Sequence, residues 1–138
     1  MKVKIVKPIA EKVRFWAEDL WRETGAEDLC GCCAIASAKL FNELKAVGLN
    51  PILHYADSHV HVRIDDEIID VTATQFGVEY PPVLISTVDK LRASKFKYDN
   101  PWASTMQFES VGELREWMIK SHWIEQQIVL EELTFGGN

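Results

Sequence analysis

Three cysteines crowd into a stretch of four positions, Cys30, Cys32 and Cys33, and two histidines alternate at His59 and His61, with Asp70 not far beyond. These residue types support two kinds of chemistry. A thiolate with an imidazole base, and a carboxylate to orient that base, makes an acyl-transfer site. Thiolates and imidazoles together also make a ligand set suited to zinc. A secreted disulfide scaffold is not indicated, because it spreads its cysteines to close long loops.

The elements that would position these groups are legible around them. Along 59–72 the residues alternate, with Val60, Val62 and Ile64 on one face and His59, His61 and Arg63 on the other. With Asp65-Asp66 as a two-residue turn, Ile64 lies opposite Glu67, Val62 opposite Ile69 and Val60 opposite Val71. A slip of one residue would set these aliphatics against Ile68, Asp70 and Thr72, so the pattern selects the first register. On the other face His61 is then opposite Asp70, and His59 is its diagonal neighbour, within reach of a side-chain contact.

Cys33-Ala34-Ile35-Ala36-Ser37-Ala38 opens a helix running to about Val47, stopped by Gly48 and Pro51. Its first two turns are small and apolar on every side, which predicts a central helix surrounded by protein. Lys39, Asn42, Glu43 and Lys45 mark a wet face only further on. Unpaired N–H groups and the dipole at a helix N-terminus stabilise a thiolate, and a nearby imidazolium does so further. Cys33 falls in that first turn, and His59 and His61 stand on a hairpin face that a buried helix could cover. Asp70 would hold the imidazole in one tautomer and stabilise its charged form.

The run Gly31-Cys32-Cys33-Ala34-Ile35-Ala36-Ser37, then His59-Val60-His61-Val62, then Ile69-Asp70-Val71-Thr72 resembles the transglutaminase-like branch of the papain-like cysteine hydrolases. In that branch a nucleophilic Cys opens the central helix, a His-x-Trp-Val type strand carries the base, and the next strand ends in an Asp-x-Thr type motif. The resemblance spans roughly residues 29–76. It implies an α+β fold, a Cys-bearing central helix packed on a small antiparallel sheet, with Cys33 as nucleophile, His59 as base and Asp70 as its orienting acid. It further implies an acyl-enzyme route to peptidase, amidase or transglutaminase-type chemistry on a peptide, protein or amide substrate, with no cofactor.

The chain departs from the family pattern at two positions. His61 stands where the family has an aromatic, and as the direct cross-strand partner of Asp70 it is a second candidate for the base. Cys32 is a second candidate for the nucleophile. Papain-like peptidases also place a glutamine shortly before the cysteine as oxyanion donor, and here no Gln or Asn precedes Asn42. The donors would then be backbone N–H groups near Cys33 or an indole N–H from Trp16 or Trp21. Gln75, in the tail of the motif, reads as a structural residue that closes its loop by hydrogen bonds.

Elsewhere, Pro8 sits well at a helix start. Ile9, Val13, Trp16 and Leu20 follow at helical spacing, and Gly25 ends the segment. Trp16 and Trp21 are core or groove-lining rings. Lys2, Lys4, Lys7, Lys12 and Arg14 give the N-terminal segment a basic, solvated face. Ala26 to Gly31 form a short loop. Ile52 to Ala56, Val83 to Ser86 and Met106 to Phe108 are strands. Thr87 to Pro101, with Lys90, Arg92, Lys95 and Lys97, is a helical turn or loop. Ser110 and Glu113 match a capping box ahead of a helix striped by Leu114, Trp117 and Met118. The segment from Trp123 to Leu133 fits neither period. His54 and His122 read as ordinary, partly exposed histidines.

A chain of 138 residues suits one domain. Its net charge of -6 argues against a nucleic-acid partner, which needs clustered Lys and Arg. No stretch reaches the apolar length of a membrane span, and Met1-Lys2-Val3-Lys4 is not followed by the apolar core of a signal peptide, so a cytoplasmic location is expected. Two rival readings stand beside the hydrolase: a zinc site built from Cys30, Cys32, Cys33, His59 and His61, and a non-catalytic binding module on the same fold. In the plainest alternative the cysteines are small core residues and the histidines hydrogen-bonded strand residues.

Overall fold

The hairpin alternation and the apolar helix start translate directly into the architecture of a computed structural model, which describes residues 2–22, 33–56, 59–76, 80–93, 106–120 and 132–134. Five antiparallel strands form one sheet in the order β4-β3-β2-β1-β5. They are β1 (Ile52–Ala56), β2 (His59–Ile64), β3 (Glu67–Asp70), β4 (Leu84–Thr87) and β5 (Met106–Phe108). The helices are α1 (Lys2–Arg22), α2 (Cys33–Ala46), α3 (Val88–Ala93) and α4 (Val111–Lys120). The fold class is therefore α+β, as expected. No helix among the described residues is long and apolar enough to cross a membrane.

The β2–β3 hairpin has the register that its aliphatic pattern selects: Val62 pairs with Ile69 and Ile64 with Glu67. Asp65 begins the turn with a left-handed φ of 55°, a conformation that aspartate tolerates better than most residues. The two faces of the sheet differ sharply. Leu53, Val60, Val62, Ile64, Ile69 and Val71 join the buried residues of α1 and α2 in the main core. Ile68 and Leu84 point the other way, into a smaller cluster with Ala73, Tyr80 and Leu91. Cross-strand partners share a face, so His54, His61, Arg63, Asp70 and Leu84 lie on the side of that smaller cluster.

Helix α2 is buried on every side through its first two turns, from Cys33 to Ala38, as its composition predicts. It ends in a Schellman motif: Gly48 takes a φ of 86°, its N–H bonds the Lys45 carbonyl, and the Leu49 N–H bonds the Leu44 carbonyl. The helix does not lie over the histidines. It packs on the aliphatic face, because that is where sheet and helix can both bury hydrocarbon.

Helix α1 departs from expectation at its start. Pro8 lies inside the helix, which begins at Lys2. Val6 is buried one turn before Ile9 and Ala10 and extends the apolar stripe past the proline, which offsets the missing N–H bond to the Lys4 carbonyl. The Ser110 hydroxyl caps α4 by accepting from the Glu113 N–H at 3.1 Å, which matches the capping-box reading of that serine. The strand readings at β1, β4 and β5 agree with the sheet within a residue. Residues 132–134 form a helical turn tied back to α2, where the Asn42 side-chain amide donates to the Leu133 carbonyl at 2.9 Å. The expected 26–31 loop, the end of α1 at Gly25, His122 and most of the 87–101 and 123–133 segments lie outside the described residues.

Candidate active site

The first residue of α2 and the first residue of β2 meet at one end of the sheet. Cys33 is 3% exposed and a free thiol, and its side chain shares a hydrogen bond with His59. One turn along the helix, the Ser37 hydroxyl donates to the Val60 carbonyl at 2.9 Å. That bond ties α2 to the residue next to His59 and so sets the approach of thiol to imidazole.

His59, 2% exposed, donates through Nε2 to Asp70 Oδ2 at 2.6 Å, the length of a charge-assisted bond. With Nε2 committed to the carboxylate, Nδ1 is the ring nitrogen left for the thiol. Asp70 is 1% exposed and is itself fixed on its second oxygen, Oδ1, which accepts from the Thr72 N–H at 2.8 Å and the Thr72 hydroxyl at 3.2 Å. Thr72 thus gives the Asp-x-Thr spacing a structural role: it turns the carboxylate so that Oδ2 faces the imidazole.

The electrostatics favour a charged His59. Burial alone would lower its pKa, but the Asp70 charge and hydrogen bond, with a further contribution from the Cys33 sulfur, raise it from 6.5 to about 10. His61 goes the opposite way. Burial is the main cause of a pKa well below 6.5; Asp70 opposes the shift, and the charges of His59, Arg63 and His54 reinforce it. Arg63 Nε donates to His61 Nε2 at 3.0 Å, so the His61 proton sits on Nδ1 and the ring is neutral.

These facts settle which histidine the carboxylate holds. Continuing the hairpin register would set His61 across from Asp70, yet the diagonal His59 takes the bond, and His61 Nε2 accepts from Arg63 instead. His61 instead stacks between His59 and His54, with ring centroids 6.1 and 5.6 Å away. His54 is not the partly exposed residue expected: it is 7% exposed, and burial followed by the Arg63 charge lowers its pKa to about 4.

Trp16 packs against the main core, of which Cys33 is a member, with the Lys39 ammonium 5.6 Å over its ring. Gln75 lies in the 3-10 turn Ala73–Phe76, and Trp21 in the last turn of α1. Their side chains, and all of Cys30 and Cys32, lie outside what the structure describes. Among the described residues no group of three or more His, Cys, Asp or Glu side chains is placed to hold a metal ion. The Arg63 guanidinium on His61 also opposes a cation there.

One contributor escaped sequence reasoning. Arg14, assigned to a solvated basic face, is 8% exposed and donates to the Val71 carbonyl at 3.0 Å and the Thr74 hydroxyl at 2.8 Å. Its only sequence signal is its position one residue after Val13 on an apolar stripe. Comparison with protein-family models, curated proteins and solved structures found no match for the chain.

Proposed function

We propose that this protein is a cysteine-dependent acyl-transfer enzyme with a papain-like, transglutaminase-like core, in which Cys33, His59 and Asp70 act as nucleophile, acid–base and orienting acid. The observation that carries the reading is the chain of contacts from Cys33 to His59 to Asp70, with the 2.6 Å bond at its end and the thiol at the start of a buried helix. A core histidine needs no carboxylate of its own, and a small core cysteine needs no imidazole.

In the first step the Cys33 sulfur attacks the carbonyl carbon of a peptide or amide, the thiol proton having passed to His59. A carbon–sulfur bond forms and the carbonyl oxygen becomes an oxyanion. The carbon–nitrogen bond then breaks, and the leaving amine takes the proton from His59. Water, or a second amine, attacks the resulting thioester while His59 accepts its proton, and the thiol is released. Asp70 keeps the imidazole in place and stabilises its charged form throughout.

Iodoacetamide labelling with peptide mass spectrometry tests this reading. At pH 7 Cys33 is expected to react about tenfold faster than Cys30 or Cys32, and His59→Ala to remove most of that advantage. Equal, slow reaction of all three cysteines would overturn it.

A further inference from the structure

We infer that Arg14 is a positioning residue for the His59–Asp70 pair, acting through the peptide that follows Asp70. The inference rests on the proposed role of that pair.

Asp70 ends β3, and just beyond it, among the described residues, no strand pairing holds the backbone. The orientation of its carboxylate depends on Thr72, whose N–H and hydroxyl both reach Oδ1. Thr72 in turn lies between the two groups that Arg14 grips, the Val71 carbonyl and the Thr74 hydroxyl. Both bonds come from Nη1, while Nε is fixed by the Glu18 carboxylate at 3.0 Å, one helical turn further along α1.

The guanidinium is thus held by its own helix and holds both sides of the Thr72 turn. A planar fork with donors in fixed directions can do this; an ammonium cannot make the same three bonds in that geometry. Arg14 and Val71 are 57 residues apart in sequence, so the bond couples α1 to the site across the main core. Packing alone would leave the Val71 carbonyl and the Thr74 hydroxyl to solvent or to each other. The directed bonds to both sides of Thr72 give the arginine a consequence for Asp70 beyond filling space.

The test is an NMR titration of the His59 ring in full-length wild type, Arg14→Gln, Arg14→Lys and Thr74→Val, with alkylation of Cys33 at pH 7 measured alongside. A carboxylate turned from its position holds the imidazolium less well. Arg14→Gln is therefore expected to lower the His59 midpoint by about one unit or more, Thr74→Val by less, and Arg14→Lys to restore it only in part. Cys33 alkylation at pH 7 is expected to slow in the same order.

Should Arg14→Gln fail to fold, Thr74→Val, which keeps the buried arginine, still reads the effect. A His59 midpoint unchanged in the folded variants, even with lowered stability, would overturn the inference. Slow, unselective wild-type labelling would instead count against the acyl-transfer reading, while the His59 midpoint continued to report on Arg14.

Discussion

At the scale of residues, the site turns on which of two neighbouring histidines holds the carboxylate. Strand register alone favours His61, which its continuation would set across from Asp70. The structure gives the bond to the diagonal His59, while the Arg63 guanidinium, two positions along the same strand, engages Nε2 of His61 and keeps that nitrogen unprotonated. Cys33, His59 and Asp70 were legible in the sequence because each sits at a spacing that only a helix start or a hairpin explains. The burial of Arg14 and His54 was not, since it depends on what packs against them from distant parts of the chain. Asp70→Asn isolates the carboxylate's charge. His59 would keep its burial and lose the attraction that overrides it, so its midpoint is expected to fall from about 10 to below 6.5, as read by ring NMR. Breaking a buried pair by removing one partner also costs roughly 3 kcal/mol, measurable by urea unfolding.

At the scale of elements, the hairpin register was the most legible feature, because a one-residue slip would turn every aliphatic to the wrong face. The helix α2 was legible for the same reason at its buried end, and Gly48 marked its stop. The start of α1 was not, because a proline that suits a first turn can also be carried inside a helix when a buried residue such as Val6 lies beyond it. The side of the sheet that α2 covers was also misread: polar side chains drew attention to one face, whereas hydrocarbon determined the packing. Gly48→Ala separates stability from chemistry. A Cβ there meets nothing within 4 Å, so the cost is that of the left-handed backbone alone, about 1–2 kcal/mol in urea unfolding. Cys33 alkylation should not change, since Gly48 lies at the opposite end of α2.

At the scale of the whole molecule, opposite histidine shifts give stability two flanks. His59 has a folded-state pKa above its ordinary value, so its contribution is complete below about pH 6.5 and is lost as pH rises through about 10. His54 and His61 are displaced downward. Their contribution is present above about pH 6.5 and is lost as pH falls, through about 4 for His54. Urea midpoints measured against pH should therefore form a dome, highest near pH 6.5. His61→Phe should flatten the acid side and leave the alkaline side in place. A wild-type profile without an acid flank would contradict the neutral, stacked state of His54 and His61.

The 3% exposure of Cys33 carries a kinetic consequence. A reagent reaches the sulfur only in the fraction of time that the surrounding structure opens, so an observed labelling rate is an opening equilibrium multiplied by intrinsic reactivity. Probe size should therefore scale the observed rate through the opening step, while the ratio between wild type and His59→Ala belongs to intrinsic reactivity. Two alkylating agents of unequal bulk, compared on the same protein, would measure how often the door is open.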